Sequence, residues 1–126
     1  MARSRLNIDR SKIEELFQFD MDNDDDLLPE LCAVFRKIAP ERMTGMVRAY
    51  EQGDWATLSR QAHTLKSSAG NLGAFRLEEL CKSIEGVVAM RGTEELRLLL
   101  GQAQEHLDQA IRELTQIVDE KYGHAS

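Results

Sequence analysis

Little in this chain could build a sheet. It has only two prolines and 6% aromatic residues among 126, and β-branched residues seldom run together, so the side chains that favour strands are scarce. Cysteine is scarce too. Cys32 and Cys81 lie far apart, each in phase with apolar neighbours, a pattern that fits neither a disulfide framework nor a zinc site and reads as two small core residues of a reducing compartment. Positive charge is thin: 16 Lys and Arg face 22 Asp and Glu, a net charge of −6. With no basic cluster beyond Arg3 and Arg5, the chain lacks the positive footprint that nucleic acid requires. No run approaches the roughly 18 apolar residues of a membrane span, and the opening MARSRLNIDR has no apolar signal segment. Neither nucleic acid nor a membrane is expected as a partner, and the expected location is cytoplasmic. There is also no G-x-x-x-x-G-K-[ST] loop, no kinase-type glycine loop and no carboxylate cluster suited to magnesium beside a nucleotide. The chain is therefore not expected to be an enzyme that phosphorylates itself.

What is present is helical periodicity. With 42% apolar residues, a chain of this length can bury roughly two thirds of its unfolded surface in one core without a metal or disulfide. A short first helix is predicted from Ser11, with Ser11 and Glu14 as a capping box and Ile13, Leu16 and Phe17 inward. After the acidic run Asp20 to Asp26, a second helix carries Pro29 in its first turn and Leu27, Leu31, Val34, Phe35 and Ile38 on one side. A kink is expected at Pro40, beyond which Met43, Met46, Val47 and Tyr50 continue the buried side as far as Gly53. Asp54 caps a third helix with Trp55, Leu58, Ala62, Leu65, Ala69 and Leu72 spaced by threes and fours. A fourth helix from about Arg76 buries Leu77, Leu80, Cys81, Ile84 and Val88 and stops at Gly92. Thr93 is expected to cap a last helix whose stripe, from Leu96 through Ala103, Leu107, Ala110 and Leu114 to Val118, ends near Tyr122. Short links favour antiparallel neighbours, so the expectation is an all-α, up-down four-helix bundle with a short additional N-terminal helix across one end. One domain spans 1–126, with a core of about 10–122 and a frayed tail at 123–126.

One residue does not fit a plain bundle. On a helical wheel His63 lies roughly 140° from the centre of the third helix's apolar stripe, facing water. Ser59, Ser67 and Gly70, its neighbours along that face, are all small, so the imidazole stands clear. Gly70 costs about 1 kcal/mol relative to Ala in a helix interior, a cost explained if another backbone or a bulky ligand comes close. Lys66, one turn on, can bring its ammonium alongside the ring. A neutral imidazole can attack an activated phosphoryl group, and the charge then lodged on the ring calls for a nearby cation and room for the donor.

The run from Ala62 to Ala74, followed by Leu77, Leu80, Cys81 and Glu85, resembles the histidine-containing phosphotransfer (HPt) domains of phosphorelays. Their pattern, H-x-L-K-G-S with a glycine ten residues after the histidine, is matched at His63, Leu65, Lys66, Ser68 and Gly73. Ser67 stands where many relatives have glycine. More loosely, the likeness extends over most of the chain, including the break at Ala39 to Met43 and the helix start at Gly53 and Asp54. The resemblance implies that His63 accepts phosphate from a receiver's aspartyl phosphate and passes it to another receiver, reversibly. It implies receiver domains as partners, free or within a hybrid histidine kinase, with magnesium on the receiver and no cofactor on this chain. It also implies that the phosphate goes onto Nε2, that Lys66 compensates its charge, and that Glu85 orients the ring through Nδ1. A carboxylate in that place would fix the tautomer and raise the basicity of the attacking nitrogen.

Three plainer readings compete with this one. His63 could be a solvated residue on the partner-binding face of a helical adaptor that transfers no phosphate. A metal-binding bundle lacks ligands, since His106 and His124 belong to no Glu-x-x-His pair. A calcium loop at Asp20 to Asp26 is disfavoured because Asp25 stands where such loops need glycine and Leu31 where they need glutamate; acidic residues before a helix N-terminus explain the run. Met43 and Met46 are read as core filler. A monomer is expected, because the site is one helix face with no dimer seam.

Overall fold

In a computed structural model that describes residues 7–123, the chain folds into five helices, with no strand among the described residues. They are α1 (Arg10–Asn23), α2 (Leu27–Gln52), α3 (Trp55–Asn71), α4 (Phe75–Met90) and α5 (Thr93–Tyr122). Arg3, Arg5, His124 and the tail at 124–126 lie outside the described residues. α3 packs against both α2 and α4, α4 against α5, and α5 back against α2, closing a cycle around a common core. α1 packs on α2 and meets the end of α5, where Phe17 and Tyr122 contact edge to face at 5.5 Å and Lys121 pairs with Glu14.

The α3 stripe lies where its spacing put it. Leu58, Ala62, Leu65, Ala69 and Leu72 are buried, with Trp55 half-buried at the start; full burial of each leucine stabilises the fold by about 2 kcal/mol. Asp54 caps the helix, its carboxylate accepting from Thr57 N–H at 3.2 Å. Leu77, Cys81 and Ile84 of α4 are buried, as are Leu96, Leu100, Ala103, Leu107, Ala110, Leu114 and Ile117 of α5. Burial pushes the Cys32 thiol up to about 11 and, with Glu85 nearby, the Cys81 thiol up to about 12, so both remain inert core thiols.

The α2 register differs from the prediction in part: Phe35, Met43 and Met46 are buried as expected, but Val34 and Val47 are not. Its inward line is Leu28, Cys32, Phe35, Ala39, Met43, Met46 and Ala49, while Val34 is 58% exposed and Val47 is exposed as well. Small Cys32 and Ala39 hold the centre of the buried face, and the bulkier Leu31 and Ile38 flank it along α3, so judging by side-chain size rotates the stripe by one residue. The helix also runs unbroken through Pro40.

Two helix starts, those of α1 and α5, are corrected, and the start of α2 has an unforeseen cap. The N-cap of α1 is Asp9, which accepts from Ser11 N–H at 3.0 Å and from the Ser11 hydroxyl at 2.6 Å; Glu14 is drawn away to Lys121 instead of closing a capping box. The start of α2 is capped from a distance. Buried Asp20, at the end of α1, accepts from Leu27 N–H at 2.8 Å and Leu28 N–H at 2.9 Å, and from the Tyr122 hydroxyl. The first residue of the acidic run is thus a buried clamp joining α1, α2 and α5. α5 begins with Gly92 as its N-cap and no side-chain cap, so Thr93 is its first helical residue.

The segment before α1 is also anchored. Asn7 is buried and takes a hydrogen bond on Oδ1 from His106 Nδ1–H at 2.6 Å, while its amide donates to Gln109 at 2.8 Å and Glu113 at 2.7 Å. His106 therefore has a structural partner. Asp9 N–H donates to Gly73 carbonyl at 2.6 Å, and Gly73, at φ +72°, has no room for a side chain, because a Cβ would sit 3.0 Å from the Asp9 carbonyl.

Candidate functional site

His63 projects from the middle of α3 with its side chain 65% exposed. The wheel position follows from burial of Ala62 and Leu65 on either side, which leaves residue 63 turned toward the α4 rim and solvent. Its Nδ1 lies 3.2 Å from Glu85 Oε2. An ionised carboxylate can only accept, so this contact selects the tautomer that carries its proton on Nδ1 and leaves a lone pair on Nε2.

Glu85 is reached from a second side. Lys66, one turn beyond His63 and half-buried, places Nζ 2.7 Å from Glu85 Oε1; Oε1 is buried and held in ion-pair contact, without a well-aligned hydrogen bond. Burial pushes the Glu85 carboxyl up, but the close ammonium of Lys66 and the contact with His63 outweigh it and hold the group below its ordinary range. It stays ionised at neutral pH. The three residues the sequence selected, two on α3 and one on α4, thus meet in one chain of contacts with Glu85 at its centre.

The small residues beside them are less uniform. Ser67 is exposed, Ser59 half-buried and Gly70 half-buried. At Gly70 the close neighbour belongs to the chain itself: a Cβ there would sit 2.8 Å from Glu78 Oε2 of α4. Glu78 packs over Gly70 as Glu85 packs beside Lys66, two carboxylates seven residues apart on one side of α4. Sequence reasoning passed over Glu78, although that spacing was the signal that could have found it.

The site therefore offers an exposed imidazole whose Nδ1 contacts an ionised carboxylate, with an ammonium against that carboxylate's other oxygen. An anchored Nδ1–H and an open Nε2 suit nucleophilic attack on an activated phosphoryl group. The family comparison agrees: residues 30–120 match the model of the Hpt domain. The chain belongs to the Hpt domain family. No curated protein matches it significantly. Hpt domains carry phosphoryl groups in two-component signalling, are phosphocarriers rather than kinases, and interact with response-regulator receiver domains. In this Hpt chain the matched segment contains His63, Lys66 and Glu85 together with all of α3 and α4. Among the described residues, no helix is long and apolar enough to cross a membrane.

Proposed function

We propose that this chain is a phosphorelay intermediary in which His63 Nε2 accepts a phosphoryl group from a receiver's aspartyl phosphate and passes it to the aspartate of another receiver, reversibly. The observation that carries the reading is the combination of a 65% exposed ring and an Nδ1 held by Glu85. Lys66 supplies positive charge beside the phosphoryl group, and Glu85 holds the ring in its attacking orientation. Ser59 and Ser67 keep the receiver's approach free of bulk, and Gly70, covered by Glu78, adds none of its own. The frame is an antiparallel up-down bundle of α2 to α5, a reading supported by their cycle of contacts and short links. It forms a single monomeric domain, acts in the cytoplasm and has no cofactor of its own, magnesium being supplied by the receiver. Its partners are receivers, either free or within a hybrid histidine kinase.

Mixing the protein with a panel of phosphorylated receivers tests this. The expected product is acid-labile, base-stable phosphate on this chain that a second receiver can discharge. If competent receivers bind this face and no phosphate moves, the protein is an adaptor and the proposal fails.

A further inference from the structure

Before any phosphate arrives, the Lys66 ammonium does not stand free beside His63; it is paired with the carboxylate that holds the ring. A lone carboxylate 3.2 Å from Nδ1 would orient the imidazole but would also favour its doubly protonated form, since an adjacent opposite charge stabilises the cation. That form cannot attack, because its Nε2 lone pair is tied up in an N–H bond. We infer that Lys66, locked on Glu85 Oε1, is a charge-balancing positioning residue that cancels the carboxylate's field while leaving its hydrogen bond, and so keeps His63 unprotonated at Nε2 and nucleophilic at neutral pH. This rests on the phosphocarrier reading and deepens it.

The geometry separates the two effects. The hydrogen bond from Nδ1–H to Oε2 acts at contact range, whereas the charge acts on the whole ring, and an ammonium 2.7 Å from the other oxygen reduces the pair's net charge to about zero. Arg60, Glu78 and Arg42 are engaged elsewhere. On α3, Arg60 donates to Thr57 at 3.2 Å. On α4, Glu78 lies over Gly70 and Lys82 is exposed one turn before Glu85. On α2, Arg42 donates to Gln61 at 3.3 Å. α5 packs against α2 and α4.

The transfer step then needs no proton. The Nε2–P bond forms as the P–O bond to the donor's aspartate breaks, the electron pair leaving on the carboxylate oxygen, and Nδ1–H stays on the ring against Glu85. Onward transfer reverses these events at the second aspartate. The one requirement is an unprotonated Nε2 at the outset.

Two readouts test the inference: an NMR titration of the His63 ring in the free protein, and the rate of phosphate acceptance from one receiver across about pH 5.5 to 8.5. Lys66→Met should move the ring's titration midpoint and the acid limb of acceptance upward by about half to one pH unit, the modest end of such effects because the ring is exposed. Glu85→Gln should move both downward, the double variant should fall between, and Lys66→Arg should restore the wild-type midpoint. A Lys66→Met midpoint that stays put or falls, with acceptance slowed equally at every pH, would overturn the inference and leave Lys66 acting on the phosphoryl group alone. If Lys66→Met unfolds, as read by circular dichroism, Lys66→Gln takes its place with the same expected midpoint shift. The titration needs no receiver, so failure of the phosphocarrier reading would show separately, as wild type accepting no phosphate.

Discussion

Replacing Asp20 by alanine should destabilise the fold far more than any other change among the exposed-looking acidic residues of its run. The carboxylate is fully buried and accepts from Leu27 N–H, Leu28 N–H and the Tyr122 hydroxyl. Its removal leaves up to three donors without a partner, one buried and two part-buried, at about 1–2 kcal/mol each, for a loss of about 3–5 kcal/mol. At this chain length, that lowers Tm by about 10–20 °C. Asp20→Asn keeps one acceptor oxygen and should cost about 2 kcal/mol, and Tyr122→Phe about 1–2 kcal/mol. Because both changes break the same contact, their combination should cost less than the sum.

The pH dependence has a definite sign. Burial pushes the Asp20 carboxyl up, but the Tyr122 hydroxyl and the Leu28 and Leu27 N–H groups outweigh it and hold it below 3.8. The contribution is therefore complete above about pH 4, the unfolded value, and disappears as pH falls through the folded value. Urea denaturation at several acidic pH values, comparing wild type with Asp20→Asn, isolates this group from Asp9, Asp54 and Glu85. Their stabilities should converge as the medium is acidified. A loss under 1 kcal/mol in Asp20→Ala, or curves that stay parallel, would refute the clamp.

Three further outcomes follow from the same structure. His63→Gln should leave the melting curve within about 0.5 kcal/mol of wild type, since the ring is exposed, while abolishing phosphate acceptance; unfolding would mean that the residue supports the core. Gly73→Ala should cost about 1–2 kcal/mol, because φ is +72° and the new Cβ would meet the Asp9 carbonyl and Lys12 Cβ at 3.0 Å. Hydrogen exchange in that variant should speed up at the Asp9 amide, and an unchanged rate would count against the anchoring of the N-terminal segment. Val34→Ser should change stability by less than about 0.5 kcal/mol, whereas Phe35→Ala should cost about 3–5 kcal/mol; similar losses at both positions would reverse the corrected α2 register.

Much of the site was legible because it rests on short-range helical geometry. The three-residue step from His63 to Lys66 and the small residues around them can be placed on a wheel, and the α3 stripe of threes and fours sets the wheel's orientation. The role of Glu85 was implied by the family resemblance, and its position at the rim of α4 allowed the contact that the structure contains. The α2 register was harder to read because its inward line includes Cys32 and Ala39, whose size hides their burial, while Leu31, Val34 and Ile38 advertise a neighbouring face. Asp9 and Ser11 are comparable caps by local pattern, and the tertiary bond from Asp9 N–H to Gly73 chooses between them. The clamp at Asp20 depends on Tyr122, 102 positions away, and no local rule connects the two. Gly70 was read as a place where another backbone or a bulky ligand comes close, but the group that lies against it is the Glu78 side chain of the next helix.

The central claim is that His63 carries the phosphoryl group on Nε2 while Nδ1 keeps its proton. Nitrogen-15 and phosphorus-31 NMR of protein phosphorylated by a receiver tests it most directly. The account predicts phosphorus coupled to Nε2 of His63 and a proton on Nδ1; phosphate on Nδ1, on another residue or nowhere on the chain would contradict it.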